Sequence, residues 1–286
     1  DLHYPLRWQR QMCIRDRYYD GAKYSILTFL NWVNNNDPIE IVVLTENPDQ
    51  FAGYPVKVFL MNGQQKNEWS INGNYHFRIK NRGLAYIMDK LSLEIEDKIL
   101  FFDTDTYFHK SPVPLFNMIK KNQAVFYINE GLINKRKRFD IYAKSLNNIE
   151  IKVDDSYYKL SNNSSLWGSL MVGIMPNMRS NLEWADKLML ELFKIVPAHT
   201  IEEFSLSESL QREFKLLEGK KYVGLYSTSR KKEYATKILS NFFLKYSSFS
   251  INRQVYLAQL VKIKRPFMVI IKPVSYTHLT LPTKRI

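Results

Sequence analysis

Cysteine is all but absent. The chain of 286 residues carries one, Cys13, and it falls in a terminal stretch set aside below. The remainder therefore offers no disulfide framework, no thiolate metal site and no cysteine nucleophile. No apolar run approaches the roughly 20 residues needed to cross a bilayer. There is no linker rich in Gly, Pro or Ser and no internal repeat, so one domain is expected. No nucleic-acid-binding motif is legible either, although the chain is basic. What is present is a hydrophobic fraction of 45% with 14% aromatics, enough for a large core and too much for a disordered chain. The net charge of +13 suits nucleic acid, an anionic membrane surface or a phosphorylated small substrate. The basic residues are scattered apart from "KRKR" at Lys135–Arg138, which reads as a solvated loop.

The two ends are related to each other through DNA. "QRQMCIRDR" at Gln9–Arg17 back-translates as CAG CGT CAG ATG TGT ATA AGA GAC AG. The reverse complement of that string, read two bases in, encodes "VSYTHLTL", which is Val274–Leu281. One DNA tag in two orientations explains both, and it resembles a transposase-end sequencing adapter. Residues 1–17 and 274–286 are accordingly read as adapter-derived or uncertain tails and excluded from fold reasoning. They hold four of the net positive charges, leaving roughly +9. The expected domain spans residues 18–273, and the natural protein is expected to begin further upstream.

Strands and helices alternate within it. Helical periodicity marks Ala22–Val33, Phe77–Leu91, Pro112–Lys121, Leu182–Ile195, Ile201–Phe214, Lys231–Leu244 and Asn252–Lys262. Short apolar runs mark strands at Ile39–Glu46, Val56–Met61, Lys98–Asp103, Gln123–Ile128 and Ser165–Ile174. The polar stretch Lys135–Asn163 is expected to be an insertion or flap. Such alternation implies a mainly parallel sheet covered by helices on both faces, with ligands at the carboxyl ends of its strands.

Asp103 and Asp105 stand at one such end, in "ILFFDTDTYF". Two carboxylates one residue apart can share a hard divalent cation such as Mg2+ or Mn2+, completed by phosphate oxygens and water. The bland alternative is a strand-end turn with a capping Asp105. Helix-start cations Arg78 and Lys80 are candidates for diphosphate oxygens, and Glu202 or Glu203 for a general base.

The longer string "DKILFFDTDTYFHKSPVPLFNMI" resembles the DxD segment of GT-A nucleotide-sugar glycosyltransferases, especially bacterial ones of surface polysaccharide pathways. "FRIKNRGLAYIMDKL", "SSLWGSLMVGI" and "HTIEEFSLSESLQ" resemble further pieces of the same family in the same order. The resemblance implies a GT-A (Rossmann-like) α/β/α sandwich with a mixed, mainly parallel central sheet. It implies a donor site of Tyr24, Arg78, Lys80, Asp103, Thr104, Asp105, Trp167, Gly168 and Ser169, with Mn2+ or Mg2+ on Asp103 and Asp105. Expected partners are a nucleoside diphosphate sugar and a glycan or lipid-linked hydroxyl acceptor, and no nucleic acid. The expected place is the cytoplasm, with peripheral contact at an anionic inner membrane face as a second option.

The chain also departs from the family. Glu203 stands where a glutamine is usual, and Leu225 where a histidine, a metal or diphosphate contact, is common. The first strand of the fold falls within the adapter-like stretch. Two other readings stay open: an inactive binding relative, and a phosphatase of the haloacid-dehalogenase kind, whose Asp-x-Asp-x-Thr motif "FFDTDT" matches. That family places the motif on its first strand and needs a later acidic pair, for which only Asp154–Asp155 is in range.

Overall fold

The computed structural model describes residues 18–33, 37–226 and 229–263. The adapter-like ends and the close of the expected domain lie outside these. Helix α1 (18–30) leads to β1 (Val42–Thr45) and β2 (Lys57–Leu60), then α2 (Gly63–Trp69) and α3 (Arg78–Lys90). Strand β3 (Ile99–Phe102) enters the DTDT turn and re-emerges as β4 (Thr106–Phe108), followed by α4 (Val113–Met118) and the long β5 (Gln123–Leu132). Helix α5 (Asp140–Ser145) and the hairpin β6 (Glu150–Val153) and β7 (Ser156–Lys159) precede β8 (Ser165–Ile174). The chain closes with α6 (Arg179–Ile195), α7 (Ile201–Gln211), β9 (Lys215–Glu218), β10 (Val223–Leu225), α8 (Ser229–Tyr246) and α9 (Ile251–Gln259).

Four strands make the main sheet, in the order β3-β8-β5-β9. It is mixed rather than mainly parallel. β8 runs antiparallel to both β3 and β5, and only β9 lies parallel to β5. The reason is the insertion between β5 and β8. Its ends are tied together by Ile133 N–H donating to the Ser164 carbonyl at 2.9 Å, so the chain returns along the edge it left. Neighbouring residues serve opposite faces, as a pleat requires. Phe126 and Val172 pack beneath α3, α6 and α7, while Val125 and Met171 pack against Leu115, Ile119 and Phe29 on the other side. The architecture is thus α/β with helices on both faces.

The insertion is not the polar flap expected from its composition. Phe139, Tyr142, Leu146, Ile151, Val153 and Tyr158 form a core of their own with Phe204 of α7 and Leu188 of α6. Single apolar residues spaced among polar ones hid this core in the sequence.

β1 and β2 form a separate parallel pair. Among the described residues β1 has no other partner and β3 pairs only with β8. Helix α3 nevertheless covers both strands. A Cβ at Gly83 would lie 2.9 Å from Leu44 of β1, and Leu84, Ala85 and Met88 share a core with Ile99 and Phe101 of β3. All four residues of β3 are only half-buried, although each is large and apolar.

Candidate active site at the end of the third strand

Two helices carry a charge at the head of an apolar stripe. On α3, Lys80, Leu84 and Met88 are spaced four apart and therefore share one face; on α7 the same holds for Glu202, Leu206 and Leu210. The leucines and Met88 pack into the layer over the sheet. That contact fixes both helices with their first turns at the carboxyl end of β3, where Lys80 and Glu202 meet at 3.1 Å.

The Lys80 ammonium is the centre of the site. It donates to Ser169 Oγ of β8 at 2.9 Å and pairs with Glu202 Oε2 and, at 3.5 Å, with Asp103 Oδ2. Burial alone would lower its pKa, but Glu202 and Asp103 outweigh that and hold it protonated. Ser169 also donates to Glu202 Oε2 at 3.0 Å. The Glu202 backbone N–H donates to Tyr75 Oη at 2.9 Å, and Tyr75 donates in turn to the His199 carbonyl. Glu202 itself is 1% exposed. Its Oε1 is buried with no hydrogen-bond partner among the described residues, a costly state that a bound hydroxyl or water would relieve.

The DTDT turn is held by its backbone, which leaves its carboxylates to their neighbours. Asp103 N–H extends the pairing to β8 by donating to Leu170 O at 2.8 Å, and the Asp103 carbonyl accepts from Thr106 N–H at 3.2 Å and Thr106 Oγ1 at 2.6 Å. Tyr226 donates its hydroxyl to Thr104 O at 3.1 Å and its N–H to Asp105 O at 3.2 Å. Ser25 of α1 donates to the Thr106 carbonyl. Gly21 lets α1 lie this close, since a Cβ there would stand 2.5 Å from Thr104 O.

The protonation states follow from burial. Asp103 is pushed up to about 6 by desolvation, with Lys80 opposing and Glu202 and Asp105 adding to the rise. Glu203 is pushed up to about 8 by burial and then by Glu202, against Lys80, with Glu130 and Asp103 raising it further. Glu203 therefore keeps its proton at neutral pH.

Asp103, Ser169, Lys80 and Glu202 thus come together from four elements, with Glu203 next to Glu202 on α7. Gly168 sits one residue away, its α-carbon facing Ile128 and Glu130. Other expected donor-site residues are engaged elsewhere. Arg78 forks onto Asp186 of α6 through two bonds of 2.8 Å and reaches the Glu68 carbonyl at 2.9 Å, so its guanidinium holds α3 to α6. Tyr24 is 2% exposed and packs with Tyr226, Leu239 and Phe242 in the core between α1 and α8. Trp167 turns its indole N–H to Ser165 Oγ at 3.0 Å and its ring toward Phe126, and is half-buried at the edge of that core. Thr104 contributes its carbonyl to the turn.

One residue with no sequence signal joins the site. Lys232 Nζ of α8 lies 3.1 Å from Asp105 Oδ2, 127 positions away in the chain. Each carboxylate of the motif is therefore paired with a lysine. A divalent cation favours several oxygen ligands, yet among the described residues no three His, Cys, Asp or Glu side chains are grouped to hold one. Lysine ammonium groups, not a third carboxylate, stand beside Asp103 and Asp105 in this structure.

A surface depression of about 500 Å3 lies elsewhere, between β6 and the end of α6, lined by Glu150, Lys152, Asp154, Glu191 and Lys194. Its charges pair locally, as Lys194 does with Glu191 at 2.7 Å, and it shares no residue with the site above. No protein-family model matches the chain, and no curated protein matches it.

Proposed function

We propose that the chain is a glycosyltransferase that moves a sugar from a nucleoside diphosphate donor to a hydroxyl acceptor, in the synthesis of a bacterial surface glycan. The observation that carries this reading is the convergence on Lys80. Asp103, Ser169 and Glu202 belong to three stretches that resemble a nucleotide-sugar site in order along the chain, and one buried ammonium touches all three.

In the reaction the bond from the anomeric carbon to the diphosphate breaks, a bond to the acceptor oxygen forms, and the acceptor loses a proton. Glu202, 1% exposed and fixed by Lys80 and Ser169, holds the charges of the site in place. Glu203, less confined, takes the proton. With its pKa raised to about 8 it is a strong base once ionised, and the rate rises with pH toward that value. The basic balance of the chain suits an acceptor that carries phosphate or lies at an anionic surface. Among the described residues no helix is long and apolar enough to cross a membrane.

The phosphatase reading gains nothing from the arrangement. The DTDT strand is the third of the described chain, and Asp154 of the only later acidic pair in range sits in the β6–β7 turn, bound to Lys187 at 2.6 Å. The test is titration with UDP- and GDP-sugars, followed by assay of nucleoside diphosphate release. Binding of at least one donor and loss of release in Glu202→Gln support the proposal. Failure to bind any nucleotide sugar, with phosphate released from simple phosphoesters instead, overturns it.

A further inference from the structure

We propose that Lys232 is the diphosphate-binding cation of this site, doing with a side chain what a divalent ion does elsewhere. The proposal rests on the donor reading above for the identity of its ligand, but its geometry is independent of that reading. The two lysines at the motif are not equivalent. The Lys80 ammonium is enclosed, its side chain 12% exposed, and its three N–H groups match three acceptors, Ser169, Glu202 and Asp103. It is a counter-ion that positions carboxylates and has no donor left for a ligand. Lys232 has a 42% exposed side chain and one acceptor, Asp105 Oδ2, with the Tyr18 ring 5.5 Å from its nitrogen. Two of its three N–H groups have no acceptor among the described residues.

The setting aims it. Asp105 is 14% exposed at its side chain and belongs to a turn whose backbone is pinned by Tyr226 and Thr106, so the carboxylate is a fixed post. Lys231 turns the other way, onto the Leu225 carbonyl, which leaves Lys232 as the member of the pair that reaches the motif. An exposed ammonium held by one carboxylate at the carboxyl end of a strand is a seat for an anion. Asp105 then competes with the anion for Lys232.

That competition separates the lysine scheme from a metal scheme. The experiment measures binding of inorganic pyrophosphate, UDP and GDP to the full chain in EDTA and then in Mn2+. The variants are Lys232→Gln, Lys232→Arg and Asp105→Asn, with thermal unfolding recorded for each to confirm folding. The expected result is binding in EDTA that Mn2+ improves less than twofold. Lys232→Gln weakens it at least tenfold, Lys232→Arg restores most of it, and Asp105→Asn tightens it several-fold. Binding that requires Mn2+ and vanishes in Asp105→Asn overturns the proposal, as does Lys232→Gln binding like the parent, or a parent that binds no diphosphate. Pyrophosphate binding through Lys232 without any nucleotide-sugar turnover would keep the anion seat and discard the transferase.

Discussion

Replacing Glu203 by Gln should remove a pH dependence of stability while leaving the shape of the site intact. Glu203 lies in the first turn of α7, with Glu202 beside it and Glu130 and Asp103 adding negative potential. Its pKa in the folded chain is about 8 against an ordinary 4.5. The folded state therefore binds one proton more than the unfolded state throughout the interval between these values, and stability falls as pH rises across it. The slope is about 1.4 kcal/mol per pH unit while a full proton separates the two states. Partial exposure of the carboxyl reduces this, so the loss between pH 5 and pH 8 is about 2–4 kcal/mol. Asp103 and Glu208, raised to about 6 and about 7 by burial, add slopes of the same sign that end at lower pH. The variant retains those two, so the difference between the curves isolates Glu203. The assay is urea denaturation of parent and variant at pH 5, 6, 7 and 8, read by tryptophan fluorescence. The variant should gain on the parent steadily as pH rises. A constant difference across the four values would refute the protonated Glu203.

Two further perturbations probe the scaffold. Arg78→Ala removes the two-bond partner of Asp186 where both side chains are at most 10% exposed and leaves only the longer 3.7 Å pair with Arg82; it should cost about 2–4 kcal/mol, and a urea midpoint shift equivalent to under 1 kcal/mol would contradict the structural role given to Arg78. Hydrogen exchange should show alternate amides of β3 exchanging fast while those bonded to β8 are protected, because the other edge of β3 has no partner among the described residues; uniform protection of Ile99–Phe102 would show that edge to be covered.

The strongest local signals were legible without coordinates. Ser165–Ile174 was bounded correctly because it holds no charged residue and is followed by Met-Pro, and the start of α7 at Ile201 follows from helical spacing. Asp103, Lys80, Ser169 and Glu202 were named from sequence and do meet; Glu203, also named, is the next residue on α7. Arg78 and Tyr24 have buried partners that the sequence did not show, for one reason. A charged or phenolic residue on a helix looks the same whether it faces a ligand or a buried partner, and Asp186 is 108 positions from Arg78. The insertion core escaped because its elements are short: Phe139, Tyr142 and Leu146 keep a helical spacing and Ile151 and Val153 a strand's, over too few residues to stand out among polar neighbours. Lys232 escaped because nothing in "SRKKEY" distinguishes it from Lys231; only the path of α8 across the end of the sheet selects one of them.

The strand that runs four apolar residues into two carboxylates is explained by the pair of stripes that meet it. Burying an ammonium costs several kcal/mol unless its donors are satisfied, and Lys80 cannot retreat to water without lifting Leu84 and Met88 from the sheet. Glu202 is bound by the same constraint through Leu206 and Leu210. The apolar packing of α3 and α7 thus forces the two charges together, and each is tolerable only because Asp103 and Ser169 complete the set. Asp103 in turn is fixed by β3, whose Phe101 and Ile99 belong to that same core. Hydrophobic contact positions the charges, and the charges fix the relative depth of strand and helices. Asp105 lies two residues on, outside this closed network, with its side chain 14% exposed. Its partner Lys232 comes from α8, whose apolar residues pack in a different core, so the second carboxylate, not the first, is the place where a ligand can exchange with the chain's own cation.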